Sequence, residues 1–174
     1  ADVQATHGSG YMLAVPDGKG LFADIAKGHI EIDGLPWTGY KINGHFEPTY
    51  TMNKLMLGLY QIVLATDSEK AREVMLRLAD WFGYEIIEKL NEERLQMLLQ
   101  CEHVSLHESY VDAFTLSSSK KYLKWARRLC HERMLGPLAE GRTDFITRFH
   151  ANCAIPKYTG FQHIYCVTGE DRLH

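Results

Sequence analysis

The sequence predicts an all-α fold, a partial α/α toroid with a loop-rich lead-in. Three observations predict it: a change of pattern near Pro48, an apolar helix followed by an amphipathic one, and the return of that pair about every 50 residues. Before Pro48 the chain is rich in glycine and turn signals, with Pro16-Asp17-Gly18, Ile32-Asp33-Gly34 and Asn43-Gly44. It reads as non-helical chain carrying one short helix at about Leu21–Lys27, closed by Gly28. From Tyr50 to Thr66, Met52, Leu55, Met56, Leu59, Tyr60 and Val63 follow helical spacing, while Leu57, Ile62 and Leu64 fill the other faces. A helix apolar all round is expected to be enclosed on every side. The next helix, about Ser68 to Leu90, has Ala71, Val74, Met75, Leu78 and Phe82 on one face and charges on the other, as an outer helix should.

Tyr60, Tyr110 and Phe161 occupy matching places in three similar segments, and a second outer helix is expected over Ser119 to about Arg133. Hairpins repeating at this length build an open solenoid or a closed ring; the apolar inner helix and the long links favour the ring. Residues 1–174 are read as part of one domain, a lead-in over 1–48 and hairpins over 49–174. A ring of six hairpins needs ~300 residues. The chain is therefore expected to be an excerpt, with apolar edges and poor folding in isolation.

Composition narrows the function. With 45% hydrophobic and 24% charged residues the chain is globular, and a net charge of −3 gives no reason to attract nucleic acid or anionic lipid. The sequence contains no apolar run long enough to span a bilayer and no signal-peptide layout, so it does not specify a compartment. Cys101, Cys130, Cys153 and Cys166 lack redox or zinc-finger spacing and read as thiols, mostly buried.

Three polar clusters stand at or near the starts of the inner helices: Tyr50-Thr51-Met52-Asn53-Lys54, Glu102 to Glu108, and His150 to Lys157. In a ring they would converge on one mouth. His103 and His107 share a helical face beside Glu108, which leaves a metal, a sugar-pocket wall and ordinary polar contacts all open. Glu102 and Glu108 lie roughly 120° apart around a helix, which disfavours a two-carboxylate mechanism. Asn152 reads either as a ligand or as the N-cap of the helix at Cys153, with Pro156 in its first turn. Glu108 could accept from a sugar hydroxyl or pair with Lys54 or Lys157. Tyr11, Trp37, Tyr40, Phe46 and Tyr50 could stack on a sugar or pack the lead-in.

These segments resemble the N-terminal part of the catalytic domain of the β-L-arabinofuranosidases, glycoside hydrolase family 127 and its relatives. His150-Ala151-Asn152-Cys153-Ala154-Ile155-Pro156-Lys157 is similar to that family's His-Ala-Asn-Thr-x-Ile-Pro-Lys, and Tyr50-Thr51-Met52-Asn53-Lys54 to its Tyr-Thr-x-His-Lys. Leu78-Ala79-Asp80-Trp81 and Pro137-Leu138-Ala139-Glu140-Gly141 are also typical. The middle cluster departs from Glu-Phe-Gly-Gly-Met-Asn-Glu: both glutamates stay, but Val104-Ser105 replaces the glycines and His107 the asparagine.

The resemblance implies a retaining hydrolase that cleaves terminal arabinofuranose from plant-type glycans, with carbohydrate as its partner. It implies substrate binding by His150, Asn53, His107, Glu108 and Asn152. A zinc-bound thiolate and a glutamate perform the family's reaction, and those residues are expected downstream of this stretch. No catalytic or metal-ligating residue is therefore assigned here, and no cofactor. A non-catalytic helical-repeat binding or scaffold protein on the same frame is the alternative.

Overall fold

The computed structural model describes residues 1–35, 38–101 and 105–174. Trp37, Glu102, His103 and Val104, which figure in the expectations above, lie outside the described residues.

The lead-in holds more structure than its turn signals suggest. Helix α1 (Asp2–His7) ends at Gly8 in the left-handed conformation, and α2 (Gly18–Ala26) starts about one turn earlier than its apolar spacing indicates. Gly28 follows α2 with φ +86°, the conformation glycine adopts without penalty. Strands β1 (Ile32–Leu35), β2 (Thr38–Ile42) and β3 (His45–Phe46) then form a small antiparallel sheet. Asn43 and Gly44, at φ +49° and +80°, supply the two positive φ angles of a tight hairpin in which Ile42 pairs with His45. The Asn43 side chain fixes the strand's exit, accepting from the Glu31 N–H at 2.8 Å and donating to the His29 carbonyl at 2.9 Å.

Pro48 opens α3 (Pro48–Thr66), where its missing N–H removes no helical bond. Helix α3 buries Met52, Met56 and Val63 but leaves Ile62 and Leu64 exposed, the latter at 61%. The expectation of complete enclosure is corrected there. Helix α4 (Glu69–Phe82) is capped by Ser68, whose Oγ accepts from the Ala71 N–H at 3.3 Å. Replacing Ser68 by alanine is expected to cost about 1 kcal/mol. Urea unfolding measures this; an unchanged midpoint would show that the cap contributes nothing.

The outer helix does not continue to Leu90 as a plain α-helix. At Gly83 it passes into a π-helical turn (Gly83–Ile87), and the Trp125 ring occupies the space where a Cβ on residue 83 would sit, 2.4 Å from Trp125 Cζ3, so that glycine is required at this position. Helix α5 (Glu92–Leu98) follows, capped by the Asn91 side chain. Helices α6 (Leu106–Ser117), α7 (Lys120–Arg128), α8 (Glu132–Ala139) and α9 (Ala151–Thr168) complete the described helices of six residues or more. The second outer element is split between α7 and α8 at Leu129–His131. Arg128 closes the preceding link by donating to the Ile87 and Leu90 carbonyls.

Packing sorts the helices into two rows. Helix α6 lies between α3 and α9, while α4 packs on α3 and α7 on α6. The rows are locked by Tyr110 of α6, fully buried, whose hydroxyl donates to the Ala79 carbonyl of α4 at 2.9 Å. Around it Tyr122 and Trp125 of α7 make edge and tilted ring contacts. The chain is thus mostly helical, an inner row α3-α6-α9 backed by outer helices, with one small sheet at the lead-in.

Candidate functional site

The N-terminal ends of the inner helices lie together, and two hydrogen bonds establish it. Asn53, in the second turn of α3, donates from Nδ2 to Ser109 Oγ, in the first turn of α6, at 2.9 Å. His107, also in the first turn of α6, places Nε2 3.0 Å from the carbonyl of Lys157 in the second turn of α9. Because the carbonyl oxygen only accepts, His107 carries its proton on Nε2. The described residues of the three polar clusters therefore sit at one end of the inner row.

At that end the five sequence-assigned positions divide by exposure. Asn53 is 1% exposed and His107 0%, so both lie inside helix-to-helix seams. The Oδ1 of Asn53 is buried with no hydrogen-bond partner among the described residues. The His107 ring stacks at a tilt on Phe161, and Gly160 clears its edge: a Cβ there would stand 2.2 Å from His107 Nε2. Burial pushes the His107 imidazole down to about 4, outweighing the carbonyl bond that favours its charged form. Glu108 is half-buried, and His150 and Asn152 are exposed.

Helix α9 begins two residues before the sequence suggests. His150, not Asn152, is its N-cap residue, and Pro156 falls in the second turn, inside the helix. Neither lysine considered for Glu108 matches that expectation among the described contacts. Lys54 is exposed and sits over the Tyr50 ring, and buried Lys157 places Nζ 3.1 Å from Nδ1 of buried His131. Tyr11 is a core residue packed on Trp81, whereas Phe46 is exposed.

One carboxyl group at this site was not singled out from sequence. Asp112 lies one turn beyond Glu108 on the same face of α6 and is only 2% exposed. Burial first, and then the Glu108 charge, push its carboxyl up to about 7. His163 of α9 stands across the seam, Nδ1 to Asp112 Oδ1 3.9 Å. On the α3 side Tyr60 faces the same carboxylate, which together with burial raises its phenol. The four-residue interval from Glu108 was the available sequence signal. Chemically the row offers an exposed imidazole, a half-exposed carboxylate acceptor and a carboxyl group that exchanges its proton near neutrality.

The chain matches the model of the β-L-arabinofuranosidase GH127 catalytic domain over residues 1–174, its whole length. It belongs to that family. A search of curated proteins gives no match. In this GH127 chain the family-like segments Tyr50–Lys54 and His150–Lys157 lie in the first turns of α3 and α9, and His107 and Glu108 of the middle segment lie in the first turn of α6. Family membership makes it a glycoside hydrolase domain and implies a carbohydrate substrate. No described helix is long and apolar enough to cross a membrane.

The described residues do not offer the zinc centre that the resemblance implies. Among the described residues, no three His, Cys, Asp or Glu side chains converge as a metal would need. Burial raises the Cys130 thiol to about 12, far from a ready thiolate.

Proposed function

We propose that the protein is a retaining glycoside hydrolase that releases terminal arabinofuranose from plant-type glycans, on an α/α toroid whose inner wall includes α3, α6 and α9. The observation that carries this is the gathering of the family-like motifs at one end of the inner row, in a chain matched by the GH127 domain from end to end. Glu108 accepts from sugar hydroxyls, and His150 and Asn152 contact the sugar from the start of α9. Their exposure supports these roles. Asn53 and His107 brace the helices that carry them, a role supported by their burial and their partners. Asp112, its carboxyl raised to about 7 by burial and then by the Glu108 charge, exchanges a proton near neutrality beside Glu108. The bond-breaking nucleophile is assigned to no residue of this chain.

Hydrolysis of 4-nitrophenyl β-L-arabinofuranoside tests the proposal, with the first-formed anomer followed by NMR. Retention of configuration is expected, and Glu108→Gln and His150→Ala are each expected to lower kcat/KM at least tenfold, about 1.4 kcal/mol of transition-state binding. Inversion, or full activity in both variants, would contradict it. A non-catalytic binding role is the second reading, favoured by the burial of Asn53 and His107 away from any sugar. It requires arabinoside binding with no turnover.

A further inference from the structure

The Asp112 side chain is 3% exposed, and its carboxyl oxygens make no hydrogen bond among the described residues. Buried polar groups are nearly always paired, so a partner is wanted at this point of the inner row. One imidazole stands close enough to supply it. His163 of α9 places Nδ1 3.9 Å from Asp112 Oδ1, and a ring movement of about 1 Å brings the two to hydrogen-bond length. Tyr60 of α3 faces the same carboxyl group, so all three inner helices contribute to this place.

Helical geometry puts the pair on the side of α6 that carries Glu108. Tyr110 turns toward the outer helices, its hydroxyl on the Ala79 carbonyl of α4. Glu108 and Asp112 are each two residues from Tyr110, about 200° around the helix, and so turn away from the outer row. His163 meets Asp112 there. The His163 side chain is 31% exposed, which leaves part of the imidazole accessible to a ligand. Side chains on a helix lean toward its N-terminal end, so His163, in the fourth turn of α9, reaches back toward the gathered helix ends.

A carboxylate facing Nδ1 fixes an imidazole in two respects. It accepts from the Nδ1–H and thereby selects the tautomer with a bare Nε2, and it holds the plane of the ring. An Nε2 held in this way accepts from a sugar hydroxyl without first having to be ordered.

We propose that His163 is a further sugar-contacting residue of the inner row, and that Asp112 is the positioning residue that orients it. This deepens the assignment of Glu108 and His150 as sugar contacts and rests on it. Asp112 acts on the sugar through His163 alone.

Titration calorimetry of the full chain with a non-hydrolysable β-L-arabinofuranoside analogue tests this as a double-mutant cycle. His163→Ala is expected to weaken binding by about fivefold or more, and Asp112→Asn by about threefold or more. The double variant should lose no more than His163→Ala alone, because nothing is left to orient. Additive losses would overturn the inference. Tyr84→Ala, on the exposed π-helical turn of the outer row, is the control and should bind like wild type. His163 is partly exposed and Asp112→Asn removes a buried acid, so both variants should keep at least the wild-type melting temperature.

Nitrogen NMR of the His163 ring gives a readout that needs no sugar. At about pH 8.5, above the value of about 7 to which burial and then Glu108 push the Asp112 carboxyl, wild type should carry the ring proton on Nδ1. Asp112→Asn should move it toward Nε2, since an amide N–H can donate to Nδ1. An unchanged tautomer would overturn the positioning role. Wild-type affinity in His163→Ala, beside weakened binding in Glu108→Gln and His150→Ala, would overturn this inference and spare the assignment it rests on. Wild-type affinity in all three would overturn both.

Discussion

Replacing Gly160 by valine is expected to lower stability by about 3–4 kcal/mol, the sum of overpacking a tight seam and breaking a buried hydrogen bond. The cause is local. A Cβ at position 160 would meet His107 Nε2 at 2.2 Å and Cδ2 at 2.6 Å, so the ring must leave its place between α6 and α9. As the ring moves it loses the Lys157 carbonyl at 3.0 Å and its stacking on Phe161. For a chain of this size the loss corresponds to a fall of about 6–16 °C in Tm. A helix gains by losing glycine, by a few tenths of a kcal/mol in the case of valine, so a neutral or stabilising result is the opposite expectation. A change smaller than 1 kcal/mol would mean that the seam is looser than its geometry implies.

Substitution of Asp112 by asparagine is expected to help, and to help more as pH rises. The folded-state pKa is raised from 3.8 to about 7, so between those values the unfolded chain gives up its proton first and wild-type stability falls with increasing pH. Below about pH 4 both states hold the proton and the penalty vanishes. Between pH 5 and pH 8 the advantage of the asparagine variant should grow by about 2–3 kcal/mol. His107 acts with the opposite sign. Its folded pKa is lowered from 6.5 to about 4, so its neutral buried form stabilises fully above pH 6.5 and loses that contribution as pH falls toward 4. Guanidinium unfolding across this range separates the two limbs: Asp112→Asn should flatten the neutral side and leave the acid side sloping. Parallel curves for both proteins would place the Asp112 carboxyl in water.

Much of the architecture was legible because it is written in local rules. Helical spacing in Met52, Met56 and Val63, the cap at Ser68 and the return of the inner segment at Tyr110 and Phe161 each mark an element that forms. Less legible was whatever depends on a distant neighbour. Position 83 needs glycine because Trp125, more than forty positions away, fills the space of a side chain. Asn43-Gly44 was visible as a turn, but a turn becomes a hairpin only when both flanks find partners, as Ile42 and His45 do. The exposure of Ile62 and Leu64 likewise depends on what covers α3, which no periodicity in its own sequence can specify.

At the site the sequence marked the right ends of the right helices without marking which atoms face outward. Asn53 and His107 are polar residues near helix starts, and spacing alone treats them like His150. Helix-to-helix contact turns the first two inward and leaves the third in solvent. Asp112 follows the same rule: its raised pKa comes from burial and then from Glu108, not from any motif.

The central claim is that Glu108 and His150 contact the sugar from the gathered ends of the inner helices. Calorimetric titration with a non-hydrolysable β-L-arabinofuranoside analogue tests it most directly. The expected result is a loss of affinity of at least tenfold in Glu108→Gln and in His150→Ala, with Tyr84→Ala binding like wild type. Affinities within twofold of wild type in both inner-row variants would contradict it.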